Sequence, residues 1–128
     1  MDISIIVPCY NEVENVSKIQ KEFLPVVIEL ADVRSVEVVF VDDGSTDDTW
    51  QTLNDTFDNI DGLPAVVKVE RHKVNRGLGA ALRTGFAAAH GQVIVTTDSD
   101  GTYKFSEIPA MLSYLSPVSY THLRSHEN

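Results

Sequence analysis

Two runs of apolar, mostly β-branched residues, Ile3-Ser4-Ile5-Ile6-Val7 and Val36-Glu37-Val38-Val39-Phe40-Val41, do most to limit what this chain can fold into. Neither run alternates polar with apolar residues along its length, so neither fits a strand with one face in water. Strands that are apolar on both faces belong to parallel sheets covered by helices above and below. Pro8 and Asn11 are expected to end the first strand. Between the two runs, Asn15 is placed to cap a helix over 16–30, bent at Pro25, with Ile19, Phe23, Val27 and Leu30 on its inner side.

The alternation continues. Asp42-Asp43-Gly44-Ser45-Thr46 reads as a turn, and Ser45 and Asp48 have capping-box-like spacing for a second helix carrying Trp50 and Leu53. A loop at 61–64 leads to a third strand over 65–69. Asn75-Arg76-Gly77 opens an Ala-rich helix over 78–89, closed by Gly91. A fourth strand follows over 92–97, and Ser106 is placed to cap a last helix over 107–115 with Pro109 in its first turn. Strands alternating with helices imply an α/β fold. Its sheet is doubly wound and mostly parallel, with flanking helices and ligands bound outside the carboxyl ends of the strands. Residues 1–115 are expected to form this region. Residues 116–128 show no period and resemble stray read-through peptide; they are expected to be non-native or disordered and are assigned no function.

Charge narrows the partners. The 128 residues carry 10 basic and 19 acidic side chains, a net charge of −9. That argues against a nucleic-acid binder, which would show a basic footprint, and against a polybasic membrane patch. An acidic protein can still hold an anionic nucleotide if a divalent cation bridges the two. A single cysteine, Cys9, excludes an internal disulfide and fits a reducing compartment. No apolar run reaches membrane-spanning length, and no basic segment precedes the first apolar run as in a signal peptide. A cytoplasmic location is expected, or the cytoplasmic face of the membrane for a full-length protein.

Three polar clusters follow strands: Pro8-Cys9-Tyr10-Asn11-Glu12, Asp42-Asp43-Gly44-Ser45 and Asp98-Ser99-Asp100-Gly101. In the expected fold they meet at one crevice, where crowded carboxylates repel each other unless a cation is present. Asp98 and Asp100, two apart around a turn, can both reach one site, and Mg²⁺ or Mn²⁺ accepts such hard oxygen ligands together with substrate phosphates. Alone, this tetrapeptide reads as an ordinary acidic turn; beside the other clusters it reads as a metal site. Cys9 reads as a small buried filler, Trp50 as packing, and His72 and His90 as solvated or capping residues. Arg76 reads equally as a phosphate contact or an exposed arginine.

Four segments together resemble the family 2 glycosyltransferases. They are Val7-Pro8-Cys9-Tyr10-Asn11-Glu12, the stretch from Val41 to Thr49 with its Asp-Asp-Gly-Ser, the stretch from Asn75 to Gly85, and Asp98-Ser99-Asp100 as a DxD motif. The flavour is that of the branch using polyprenyl phosphates, of the dolichyl-phosphate mannose synthase type. The resemblance implies a GT-A fold, of which this chain would be the nucleotide-binding half, cut short. It implies that Pro8, Tyr10 and Glu12 border the base and ribose of a nucleotide sugar, and that Phe40 and Asp42 contact the base. Asp98 would lie near ribose and metal, Ser99 would offer backbone contacts, and Asp100 would ligate the metal. That branch often carries a Gln two residues past the second Asp; Thr102 stands there, which puts a third protein ligand in doubt.

The activity implied is sugar transfer from a UDP- or GDP-sugar to an acceptor such as a polyprenyl phosphate, with Mg²⁺ or Mn²⁺ assisting departure of the nucleoside diphosphate. The catalytic base is expected beyond the chain end, so this piece is expected to bind donor without transferring it. The alternatives are a nucleotide-binding module without catalysis and a Rossmann-like oxidoreductase. Against the latter, Gly77-Leu78-Gly79-Ala80-Ala81-Leu82 lacks the third glycine of G-x-G-x-x-G and does not follow the first strand.

Overall fold

A computed structural model describes residues 1–58, 60, 62–97 and 107–113. Eight main elements alternate: β1 (Ile3–Cys9), α1 (Val16–Ala31), β2 (Val36–Asp43), α2 (Thr49–Asp58), β3 (Val66–His72), α3 (Leu78–Ala88), β4 (Val93–Thr96) and α4 (Ile108–Ser113). The strands form one parallel sheet in the order β3-β2-β1-β4. The chain steps outward from β1 to β3, then crosses back through α3 to lay β4 on the far side of β1. This is the doubly wound arrangement expected, and its reversal point, between β1 and β4, is where such sheets bind ligands. No described helix is long and apolar enough to cross a membrane.

The two faces of the sheet are packed differently. Ile3, Ile5, Val7, Val36, Val38 and Phe40 point to the side of α1, α2 and α4. There Phe40 stacks on Phe57 at 4.7 Å between ring centroids, and Phe23 meets both rings. The other face carries Ile6, Val39 and Val41 against the Ala-rich α3. Small residues let α3 approach closely: a Cβ on Gly85 would lie 2.5 Å from Ile6 Cγ2.

Several local expectations are corrected. Pro8 does not end β1 but lies within it, paired with Val41. β4 pairs with β1 only over Ile3–Ile6, and Thr97 N–H donates to the Ile6 carbonyl. Backbone groups two residues apart face the same neighbour, so the N–H that Pro8 lacks would point past the end of that ladder. Asp42 and Asp43 belong to β2 rather than to a turn. Asn15 does not cap α1; its amide donates to Glu12 Oε2, and a 3-10 turn at Val13–Asn15 leads into the helix. The α2 start is held by Asp47, which accepts from the N–H and hydroxyl of Thr49, while Ser45 is engaged elsewhere. Ser106 lies outside the described residues.

Gly91 does not close α3, which ends on Ala89 in an extended conformation. The glycine is needed where the chain passes β1. A Cβ there would lie 2.5 Å from Ser4 N and 2.8 Å from the Ile3 carbonyl carbon. Its own N–H donates to Ser4 Oγ at 2.7 Å. Ser4 in turn donates to Glu37, which is 1% exposed. Glu37 also accepts from His90 N–H and has Lys68 Nζ 3.0 Å from Oε1. A buried carboxylate held by this many donors closes the amino end of the sheet without leaving its charge unpaired.

Gly91→Ala is therefore expected to lower unfolding free energy by roughly 2 kcal/mol or more, because backbone rather than a flexible side chain must give way; urea denaturation reads this directly. Acid should act through Glu37. Burial pushes its pKa up, but the bonds from Ser4, His90 N–H and Lys68 outweigh burial and hold it below the ordinary 4.5. A lowered folded-state value means stability that is present above about 4.5 and is lost as pH falls through the folded value. Urea midpoints should fall as pH drops below that point. Glu37→Gln should flatten the dependence while lowering stability at neutral pH.

Candidate functional site

The carboxyl ends of the strands are built from loops stitched to one another. Asn11, at φ 51°, donates its N–H to Ser45 Oγ at 2.9 Å and accepts from Thr46 N–H at 2.8 Å through Oδ1. Glu12 N–H donates to Thr49 Oγ1 at 2.8 Å. The segment after β1 is thus fixed to the segment after β2. Gly44 does the same for the segment after β3: at φ 69°, a Cβ on it would lie 2.1 Å from the Val74 carbonyl carbon. Only glycine permits both that conformation and that approach.

Two adjacent aspartates at the end of β2 have opposite fates, because successive side chains on a strand point to opposite faces. Asp43 points toward α3. Its Oδ1 accepts from His72 Nδ1 at 2.8 Å and from Arg76 N–H at 2.9 Å. Its Oδ2 accepts from Asn75 Nδ2 at 3.1 Å and from Gly77 N–H at 2.9 Å. Those four donors match the acceptor capacity of a carboxylate. Burial pushes the Asp43 pKa up, and the bonds from His72, Arg76 and Gly77 outweigh burial and bring it below 3.8. On its other side, His72 Nε2 lies 2.7 Å from Thr84 Oγ1, so the ring joins β3 to α3.

Asp42 points to the opposite face. It is fully buried, its Oδ1 accepts from the N–H and hydroxyl of Ser45, and its Oδ2 has no hydrogen-bond partner. Arg71 Nε stands 3.9 Å from Oδ2, and the Arg71 guanidinium lies 5.2 Å from the Trp50 ring centroid. Three buried side-chain oxygens among the described residues lack a hydrogen bond: Glu37 Oε1, Asp42 Oδ2 and Thr97 Oγ1. Glu37 has its Lys68 ion pair. The other two stand at the carboxyl ends of β2 and β4. Buried acceptors left open in this way are expected where a ligand completes the bonding.

The sequence-assigned residues sort as follows. Pro8 is buried in β1, Tyr10 is 43% exposed just past it, and Glu12 is half-buried and bonded to Asn15. Asp42 stands at the end of β2, next to this group. Phe40, expected to contact the base, has its ring fully buried against Phe57 and Phe23 in the core. Asp98, Ser99 and Asp100 lie outside the described residues, as does the segment 116–128. No group of three or more His, Cys, Asp or Glu among the described residues could hold a metal ion. The two carboxylates assigned to Mg²⁺ or Mn²⁺ follow Thr97 in the sequence, and their hard oxygens suit either ion.

The sequence places Asp43 at this end of the molecule but does not reveal its bonding role, nor that His72 and Arg71 belong here. His72 is buried, not solvated. Ending the third strand at Val69 hid it; the signal was the period of two, which puts Lys68, Glu70 and His72 on one face. Cys9 is buried, as expected of a filler.

Comparison with known proteins agrees with this geometry. The chain is 33% identical over 121 residues to an undecaprenyl-phosphate 4-deoxy-4-formamido-L-arabinose transferase of Pectobacterium atrosepticum, covering 90% of this chain and 34% of that protein. It is 32% identical over 112 residues to a dolichol-phosphate mannosyltransferase of Pyrococcus furiosus, covering 88% of this chain and 29% of that one. Among solved structures it resembles a mannosyltransferase of Pyrobaculum calidifontis in complex with GDP-Man and Mn²⁺. The TM-score is 0.64 with 29% identity, over 77% of this chain and 27% of that one. The chain thus spans about a third of the length of these two relatives. A family model for glycosyl transferase family 2 matches residues 4–118, which takes in every strand and loop described above, and the chain belongs to that family.

Proposed function

We propose that the crevice binds a nucleoside-diphosphate sugar, a UDP- or GDP-sugar, and that the whole protein transfers the sugar to a polyprenyl phosphate at the cytoplasmic face of a membrane. The observation that carries the reading is Asp42. A buried carboxylate oxygen without a hydrogen bond is costly in the free chain, by roughly 1–3 kcal/mol, and an N–H on the edge of a nucleotide base would satisfy it. Pro8, Tyr10 and Glu12 border the base and ribose from the end of β1. Phe40 supports β2 from the core without touching the base. Thr97 Oγ1 offers a further acceptor or donor at the end of β4.

Asp98 and Asp100 are the residues that would hold Mg²⁺ or Mn²⁺, with Ser99 contributing backbone contacts. The ion would offset charge on the departing nucleoside diphosphate. Support comes from the family and from the solved relative bound to GDP-Man and Mn²⁺. The relatives named for undecaprenyl phosphate and dolichol phosphate support the choice of acceptor. Since the chain spans about a third of those relatives, donor binding is the part of the activity to be assayed on it.

Titration calorimetry of the chain with UDP and with GDP is the test. Binding in Mn²⁺ is expected, with a loss of tenfold or more in EDTA. Asp42→Asn should weaken binding about tenfold in Mn²⁺, since a bond to a charged acceptor is worth roughly 1.5–3 kcal/mol. Equal affinity in EDTA would remove the metal role of Asp98 and Asp100, and an unchanged Asp42→Asn would remove the base contact.

A further inference from the structure

We propose that the β3–α3 loop, with the outward face of the first turns of α3, docks on an anionic lipid surface. Residues 71–97 hold four basic and no acidic side chains, in a chain whose net charge is −9. Lys73, Arg76 and Arg83 are all exposed. Among them stand two of the most exposed large apolar side chains described, Val74 at 66% and Leu78 at 60%. Apolar side chains interleaved with cations are the pattern that inserts at a lipid headgroup boundary.

The loop is already rigid, so docking loses little conformational entropy. Asp43 takes the Asn75 amide and the N–H groups of Arg76 and Gly77, and Gly44 packs on the Val74 backbone. With Asn75 turned inward, the side chains of Lys73, Val74 and Arg76 are left in solvent. The start of α3, like those of α1, α2 and α4, carries no acidic residue to offset the helix dipole. Gly77 at its N-cap makes no side-chain cap bond. Helix amino ends favour negative side chains; here an arginine precedes the end instead, so the loop cations and the helix dipole add to one positive field.

The charges alone would suit any phosphate, free or lipid-borne. Val74 and Leu78 decide for the lipid, because they gain nothing from a free phosphate and gain by burial in an interface. The loop lies at the carboxyl end of the sheet, beside the crevice, so docking there would turn the crevice toward the membrane. This last consequence rests on the proposed polyprenyl-phosphate acceptor; the docking itself does not.

Sedimentation of the chain with vesicles tests the proposal, using phosphatidylcholine alone and phosphatidylcholine mixed with phosphatidylglycerol. A chain of this net charge is repelled by anionic vesicles as a whole, so binding must be local. Pelleting with the mixed vesicles only, reduced by added salt, is expected. Lys73→Gln should lower the partition coefficient about fivefold, and the double variant Val74→Ser/Leu78→Ser about tenfold or more. Both apolar side chains are exposed, so the double variant should keep its melting temperature and its nucleotide affinity. No pelleting, equal pelleting with neutral vesicles, or an unchanged partition of the double variant would overturn the docking surface. Nucleotide titration on the same samples separates the two ideas. Vesicle binding without nucleotide binding supports the surface and removes the donor reading. Nucleotide binding without vesicle binding does the reverse.

Discussion

The carboxylate of Asp43 accepts from His72, Asn75, Arg76 and Gly77 at once, and the carboxyl end of the sheet is organised around it. It joins the end of β2 to the end of β3 and the start of α3, 29 to 34 residues further along the chain. Because those donors use its capacity, Asp43 has nothing left for a ligand. The pleat of the strand turns its neighbour Asp42 to the opposite face, away from those donors. One aspartate builds the end of the sheet; the other keeps an oxygen without a hydrogen bond.

The core explains why this end can be held firmly. On one face Phe23, Phe40 and Phe57 fill the space under α1 and α2. On the other, Ala80, Ala81 and Gly85 bring α3 down onto Ile6, Val39 and Val41. Close helix approach shortens the distance from His72 on the sheet to Thr84 on the helix, which makes their 2.7 Å contact possible. The packing of small residues and the bonding of the aspartate therefore depend on each other.

Much of this was legible in the sequence, for a physical reason. Runs such as 3–7 and 36–41 are apolar on both faces, and only a covered parallel strand accommodates that. Strand ends and caps were less legible. Glu70 and Arg71 interrupt the apolar pattern of β3, yet an edge strand tolerates them, so the strand runs on to His72. Gly91 looked like a helix stop because it follows an Ala-rich helix. Its actual constraint is Ser4, at the other end of the sequence. Asn15 and Ser45 have the right chemistry for caps, but Glu12 and Asp42 compete for their side chains. The motifs assign Tyr10, Glu12, Phe40 and Asp42 alike to a nucleotide; Tyr10 and Glu12 stand just past β1, whereas the Phe40 ring lies in the core. A motif marks positions in a line; the pleat decides which of them reach the crevice.

The two ends of the sheet hold their buried carboxylates unequally, and the difference supports the proposed ligand site. At the amino end, Glu37 is buried with a lysine at 3.0 Å, a serine hydroxyl and a backbone N–H. At the carboxyl end, Asp42 is as deeply buried, but its cation stands at 3.9 Å with a side chain 52% exposed, and one oxygen has no hydrogen bond. The amino end thus brings a cation within 3.0 Å of its buried carboxylate, and the carboxyl end does not. Leaving Asp42 open costs stability on the order of 1–3 kcal/mol, a sizeable share of the net stability of a small domain. A bound nucleotide would recover that energy as affinity, because the acceptor is already desolvated and already fixed by Ser45 before the ligand arrives.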